Sequence, residues 1–255
     1  MKSVFYGLLR EFQDGNIPKM MAIVSNPIPN IPSAHWSLFN RLLQKVAHTS
    51  DGRDITQWNG VGRNVKEGSQ AFHIFVPNII KIKGENGEID DEIIGCKLSP
   101  VFRIEDTEGE PVDHEDIQLR RIPFVERLEG LSSKSIPFGN KLEQIIEATP
   151  EEALLFYELA YAIQETVAGH DILSLRLKKI EVPIKEMVTE LSALTLCYLA
   201  GKDGSKYLGS TYCNIDEYAK GLNITPGSAM QQVIGEIERV LEIFLTDMSI
   251  SLNMN

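Results

Sequence analysis

The stretch EEALLFYELAYAIQETVAG, residues 151–169, decides what the second half of this 255-residue chain forms. Pro150 and the acids after it are typical of a helix beginning, and Gly169 is typical of a helix end. Apolar residues recur at helical spacing along one side of this stretch. The sequence therefore predicts a helix from about residue 150 to 168. A second side of that helix carries the polar residues Tyr157, Glu158, Tyr161 and Glu165.

Tyr157, Glu158 and Tyr161 have the spacing of a zinc-peptidase motif but not its ligands. In that motif two histidines four residues apart bind zinc, and the glutamate after the first activates the metal-bound water. A phenol is a poor zinc ligand near neutral pH, because its pKa of about 10 keeps it protonated. We therefore predict no bound zinc, no other cofactor and no working zinc hydrolase. A hydrolase with unusual ligands, using His170 or the phenols themselves, is the less favoured alternative.

Two glutamates one turn apart, Glu186 and Glu190, lie in the next helix-forming run, residues 182–201. Zinc domains of this kind take a third ligand from a glutamate on a later helix, and Glu186 suits that role better than Glu190. Buried carboxylates are costly unless they are paired. We therefore predict that Tyr157 and Tyr161 fill the space of the lost ion and donate hydrogen bonds to Glu186 or Glu190.

The overall composition indicates a globular protein with 43% hydrophobic residues and a net charge of -11. No apolar run reaches the roughly eighteen residues of a membrane span, and acids near the N-terminus argue against a signal peptide. The three cysteines show no paired spacing that would indicate a disulfide framework or a zinc site. We expect a cytoplasmic protein that does not contact a membrane.

Patterning along the chain predicts an α+β protein with a small mixed N-terminal domain and a mainly helical, zinc-peptidase-like C-terminal domain. The linker-like segment 128–140 separates residues 1–130 from residues 131–255. Helices are predicted at about 2–13, 33–48, 183–200, after Asn214 and around Met230 to Phe244, and strands at 71–77 and 92–104.

Residues 34–83 form a basic island, with seven lysines and arginines against three acids. Single-strand binding requires cations for phosphates and flat side chains for bases, and this island contains both, the flat side chains being Trp36, Trp58 and Phe75. Trp36 lies on an apolar stripe and is predicted to be core, whereas Trp58 is the better stacking residue. Lys66 is expected at a hairpin tip beside Arg63. The predicted nucleic-acid-binding residues are Arg41, Arg53, Trp58, Arg63 and Lys66.

Five segments of the sequence resemble landmarks of the ArdC-type antirestriction proteins, in the same order. They are HWSLFNRLL, WNGVGRNVKEGSQAFHIFVP, LSPVFRIEDTEGEP, FYELAYAIQETVAG and KEMVTELSALTLCYLAG. That family joins a domain that binds single-stranded DNA to a zinc metallopeptidase domain. Here both histidines of the metal helix are replaced by tyrosine.

The resemblance implies a protein that binds single-stranded DNA in the setting of a mobile element or phage and shields incoming DNA from restriction. The altered metal helix implies that the C-terminal domain is an inactive, peptidase-like domain. An alternative is a protein-interaction module, in which the former peptidase cleft holds a protein partner without cutting it.

Overall fold

The computed structural model describes residues 2–26, 28–83, 89–112, 119, 152–168, 181–205 and 208–252. These residues form helices and small antiparallel sheets, which confirms the predicted α+β class. The chain divides into two compact units, and each is discontinuous in sequence. The first contains residues 1–6, 27–36 and 40–117, and the second contains 7–26, 37–39 and 118–255. The predicted boundary after residue 130 lies outside the described residues and stays a prediction.

Eight α-helices and five β-strands lie in the described part of the chain. The helices are α1 (Lys2–Gln13), α2 (Ile17–Val24), α3 (Leu38–Val46), α4 (Ile55–Gly60), α5 (Glu152–Ala168), α6 (Glu181–Leu199), α7 (Ile215–Leu222) and α8 (Pro226–Leu252). The strands are β1 (Gly52–Arg53), β2 (Arg63–Val65), β3 (Phe72–Lys83), β4 (Ile89–Arg103) and β5 (Thr107–Gly109). None of the described helices is long and apolar enough to cross a membrane.

A long antiparallel hairpin, β3 with β4, organises the first unit. Strand β1 pairs with the end of β4, so the sheet order is β1-β4-β3, while β2 and β5 form a separate two-stranded ribbon. Phe72, Ile74 and Val101 are buried on one face of the hairpin and pack with Ala47 of the adjoining helix region. Trp36 packs against this cluster, as expected for a core residue.

The β2–β5 ribbon depends on a close backbone approach at Gly109. The φ of this residue is +130°, and a Cβ atom there would collide with the carbonyl oxygen of Gly62. Only glycine fits a position that has both a positive φ and no room for a side chain. The ribbon places Arg63 directly opposite Gly109.

The central element of the second unit is α6. From Met187 to Leu199 every residue is buried except Tyr198, which is half-buried, and α2, α5 and α8 all pack against this helix. A helix that is enclosed on all sides has little amphipathic signal, because no side of it faces water. The predictions of helices at 150–168 and 183–200 are confirmed by α5 and α6.

The predicted helix at 2–13 is confirmed by α1. Helix α2 was not predicted, and Pro18 occupies its first turn, where a proline loses no hydrogen bond. The predicted helix start at residue 33 is wrong. Helix α3 begins at Leu38, so Ser33 and Trp36 precede it. Helix α4 has a capping box between Asp54 and Gln57 that the sequence reading missed.

Candidate functional site

Asp51, Arg53 and Trp58 form a buried cluster in the first unit. The Arg53 guanidinium donates to both carboxylate oxygens of Asp51 at 2.7 to 3.0 Å, and only 7% of Arg53 is exposed. Its central carbon lies 4.9 Å from the centroid of the Trp58 ring. Trp58 is fully buried, and its indole N–H donates to the Phe102 carbonyl at 3.0 Å. The choice of Arg53 as a phosphate contact and Trp58 as a stacking ring is therefore corrected, because neither side chain is accessible.

Arg63 is held by the β2–β5 ribbon. Its guanidinium donates to the hydroxyl and carbonyl of Thr107 at 2.8 and 3.0 Å and to the Glu110 carbonyl at 2.6 Å. These bonds hold the half-buried guanidinium against its own ribbon, and the phosphate contact by Arg63 stays a prediction. Arg41, another predicted contact, is half-buried.

Lys66 is exposed, but it is not at a hairpin tip. The turn after β2 leads to β3, yet β2 pairs with β5, so Lys66 lies beside the chain around residue 105. Its ammonium donates to the Glu105 carbonyl at 3.0 Å. The pKa of Asp106 is lowered mainly by its hydrogen bond with Arg103, and the Lys66 charge adds to this effect. Of the five predicted residues, Lys66 is the one whose exposure suits a phosphate contact.

The β3–β4 hairpin has a second face that does not enter the core. Residues directly opposite each other on antiparallel strands share a face, and successive residues alternate between faces. Because Phe72, Ile74 and Val101 face the core, the residue pairs that alternate with them face away from the core. We call this second face the outer face, and its three pairs are His73 and Pro100, Phe75 and Leu98, and Pro77 and Cys96.

The outer face is apolar or uncharged and lies at the protein surface. Pro77, Cys96, Leu98 and Pro100 are exposed, and Phe75 is half-buried. Sequence reasoning named Phe75 only as one of several aromatic residues in the basic island. The alternation in residues 72–77 indicates two different faces, but it does not say which of them is buried.

Few charges lie on the strands around the outer face. Residues 72–77 and 96–101 contain one lysine, Lys97, and no aspartate or glutamate. Lys97 is opposite Val76, so it alternates onto the face away from the outer face. Farther along, Arg103 is paired with Asp106, and Lys81 is opposite Asp91 beyond an irregularity in the strand pairing.

In the second unit, α5 and α6 bring the predicted vestigial residues into one neighbourhood. Tyr157 is half-buried, and burial raises its pKa, with Glu186, Glu190 and Glu158 raising it further. Glu158 and Glu186 are exposed. The Tyr161 ring is 42% exposed and lies under the Lys185 ammonium, 4.1 Å from the ring centroid.

The predicted hydrogen bonds from the tyrosines to the glutamates are wrong. Within the described residues, neither Tyr157 nor Tyr161 donates to Glu186 or Glu190. Glu186 is exposed, so water satisfies its charge. Glu190 is 4% exposed and has another partner, because its carboxylate accepts hydrogen bonds from the Thr211 hydroxyl and, at 2.8 Å, from the Thr211 backbone N–H.

Glu190 acts as a helix cap from a neighbouring element. Thr211 begins a 3-10 turn that leads into α7, and the flanking Ser210 makes no side-chain cap. The first N–H groups of a helical turn need acceptors and favour negative charge, and Glu190 supplies both. A Cβ atom at Gly209 would collide with Oε1 of Glu190, so the loop wraps closely around the carboxylate. Sequence spacing could not identify Thr211 as the partner of Glu190, because the two residues are 21 positions apart.

The residues at positions 157, 161 and 190, which the zinc-motif spacing singled out, do not fit a zinc ion. Tyr157 has a raised pKa, Tyr161 is covered by a cation and Glu190 is occupied by Thr211. Among the described residues, no group of three histidines, cysteines, aspartates or glutamates could hold a metal ion. His170, the proposed substitute ligand, lies outside them.

No family model and no curated protein matches the chain. Among solved structures, it is similar to two crystal structures of the antirestriction ArdC protein from R388 plasmid, one metal-free and one Mn(II)-bound. The TM-scores are 0.46 and 0.47, the sequence identity is 14% in both, and each match covers 92% of this chain and 97% of the other. These structures come from the family that the sequence resembles.

Proposed function

We propose that the first unit binds single-stranded nucleic acid. The observation that carries this proposal is the combination of exposed lysines with an uncharged outer face on the hairpin. Lys66, Lys81 and Lys97 are exposed, and residues 72–77 and 96–101 of the hairpin contain no acid. Single strands are bound by cations that contact phosphates and flat or apolar surfaces that contact bases. A duplex presents mainly phosphates, so an uncharged face favours the single strand.

Fluorescence anisotropy with labelled single-stranded and duplex oligonucleotides at two salt concentrations tests this proposal. We expect tighter binding to the single strand and an affinity that falls steeply with salt, because bound cations release counterions. Replacing Lys66, Lys81 and Lys97 together by alanine should reduce the logarithmic salt slope by about 2, since each phosphate contact contributes about 0.7.

The matched control for this triple variant is Lys220→Ala, which removes an exposed lysine from the second unit. The control should bind with the same affinity and salt slope as the unchanged protein. An affinity independent of salt, or no binding at micromolar protein in low salt, would contradict the proposal.

We further infer that the second unit is an inactive, peptidase-like domain. Phenols stand at both positions of the histidine motif, and the raised pKa of Tyr157 keeps that phenol protonated at neutral pH. A protonated phenol neither binds zinc well nor accepts a proton from water. The protein should purify without stoichiometric zinc, show no protease activity that a chelator removes and keep its melting temperature in EDTA. About one tightly bound zinc per chain would overturn this inference.

A protein-binding role for the second unit is a second candidate. Leu154 and Tyr161 are 39% and 42% exposed and lie seven residues apart on α5, which places them on one side of the helix. Exposed apolar side chains that share a helix side favour contact with another protein. We place the protein in the cytoplasm, as its composition predicts, of a cell that carries a mobile element or phage, which the sequence resemblance implies.

A further inference from the structure

The outer face of the β3–β4 hairpin has a rigid aromatic position at its centre. The Asn40 side chain donates to the Phe75 carbonyl at 2.7 Å and accepts from the Phe75 N–H at 2.9 Å. The Phe75 ring meets the Phe5 ring edge to face, with centroids 5.6 Å apart and an angle of 85°. Phe75 is therefore fixed at both its backbone and its ring. A ring that is already ordered loses little conformational freedom when a ligand stacks on it.

The same hydrogen bonds block one edge of the sheet. A strand edge with free N–H and C=O groups favours the addition of another strand. At Phe75 the edge of β3 already has the Asn40 amide as its partner, and Pro77 has no N–H to offer. The accessible surface beside Phe75 is therefore the outer face and not the edge of β3.

The chemistry of the outer face suits bases better than phosphates. Its six side chains are His73, Phe75, Pro77, Cys96, Leu98 and Pro100, and none of them carries a fixed charge. Lys97 pairs with Val76 and therefore alternates onto the opposite face, and Lys81 is opposite Asp91 beyond the irregularity in the strand pairing. The outer face itself therefore suits the flat, apolar bases of a single strand and not its phosphates.

We propose that the outer face is a base-stacking platform, on which Phe75 stacks against a base of a bound single strand. This inference rests on the proposed function and assigns the surface that performs it. The platform replaces the role that the sequence suggested for Trp58, which is buried. The ligand class is single-stranded nucleic acid with unpaired, accessible bases. Little sequence preference is expected, because every base has a face on which to stack.

Cys96 provides a direct probe, because it is an exposed cysteine on the outer face. Cys197 is buried and Cys213 is half-buried, so Cys213 serves as the internal reference. The alkylation rate of each cysteine is measured by mass spectrometry, with and without a saturating deoxythymidine oligonucleotide of about 16 nucleotides. We expect the oligonucleotide to slow alkylation of Cys96 and to leave Cys213 unchanged.

The second test compares two substitutions of Phe75. Phe75→Leu keeps an apolar side chain but removes the ring, and it should weaken single-strand binding about tenfold, within the range for loss of one stacked base. Phe75→Tyr should retain the affinity. Neither change should alter the salt slope, because no phosphate contact is lost. Ile55→Ala, at an exposed apolar residue outside the outer face, is the matched control and should bind normally.

The outcomes separate this inference from the proposed function. If the oligonucleotide binds but Cys96 stays fully reactive, or Phe75→Leu binds as the unchanged protein does, the platform is overturned and nucleic-acid binding stands. If no oligonucleotide binds, the proposed function fails and the platform fails with it. Melting temperatures of the variants show whether a loss of binding reflects unfolding. If a variant is unfolded, the alkylation rate of Cys96 in the unchanged protein, with and without oligonucleotide, decides whether the platform stands.

Discussion

The Asp51–Arg53 pair in the first unit and Glu190 in the second unit are both buried charges, but they are compensated differently. The Arg53 guanidinium forms a bidentate ion pair with Asp51 and lies over the ring of Trp58. Glu190 has no opposite charge among the described residues and instead accepts from a hydroxyl and a backbone N–H. In both regions, residue types that suggested binding or catalysis have become structural because their polar groups are satisfied within the fold.

The largest effect is expected from Asp51→Ala, which leaves the Arg53 guanidinium buried without its carboxylate. Breaking a buried ion pair from one side costs about 3 to 5 kcal/mol of unfolding free energy. Urea denaturation measures this change. The double variant Asp51→Ala, Arg53→Met should recover part of the loss, because no unpaired charge stays buried.

Glu67→Ala is the control for this prediction, since Glu67 is an exposed acid in the same unit. It should change the unfolding free energy by less than about 0.5 kcal/mol. If Asp51→Ala were no more destabilising than Glu67→Ala, the buried pair would not have the structural role assigned to it.

A smaller loss is expected from Thr211→Val, which removes the hydroxyl donor and leaves Glu190 with the backbone N–H. A hydrogen bond to a charged group contributes about 1.5 to 3 kcal/mol, so the unfolding free energy should fall by that amount. Ser210→Ala is the adjacent control, because Ser210 is exposed and its side chain makes no cap. Equal stability losses for the two variants would show that Thr211 is not the partner on which Glu190 depends.

Arg63→Ala and Lys66→Ala separate a structural cation from an exposed one. Arg63→Ala should cost on the order of 1 to 3 kcal/mol, because it removes the hydrogen bonds that join β2 to β5. Lys66→Ala should change stability by less than about 0.5 kcal/mol. It should instead reduce the salt slope of single-strand binding by about 0.7. The opposite assignment of effects would make Arg63 the phosphate contact.

The smallest effect at neutral pH is expected from Tyr157→Phe. The folded-state pKa of Tyr157 is raised, by burial first and by Glu186 and Glu190 next. Above a pH of about 10 the unfolded chain loses a proton that the folded chain retains, so the unfolding free energy falls as pH rises. Tyr157→Phe should make this alkaline decline shallower. An unchanged alkaline profile, measured by denaturation at several pH values, would contradict the assignment.

The helices were the most predictable elements, and their ends show why. Pro150 before α5 and the glycines after α5 and α6 are local signals that act within one turn. The end of α1 near residue 13 was predicted correctly, but the sequence pattern did not show that Pro18 lies in the first turn of a further helix, α2. A proline after a helix can end one helix or begin the next.

The candidate sites were less predictable, because their residues meet through distant contacts. Thr107 is 44 residues from Arg63, and Phe102 is 44 residues from Trp58. Sequence pattern indicated a basic island, but it could not show that Arg53 is buried or that Arg63 donates to its own ribbon. Phe75 lay in the same island, and only strand pairing placed it on the outer face.

The sequence by itself determined the α+β class, the helices α5 and α6 and the presence of tyrosines, not histidines, at positions 157 and 161. These features depend on residue chemistry and on periodicities of a few residues. Only the tertiary structure decided that Arg53 and Trp58 are buried, that Glu190 accepts hydrogen bonds from Thr211 and that Phe75 lies on the outer face. The physical reason is that burial and hydrogen-bond partners are set by residues that are distant in sequence and adjacent only after folding.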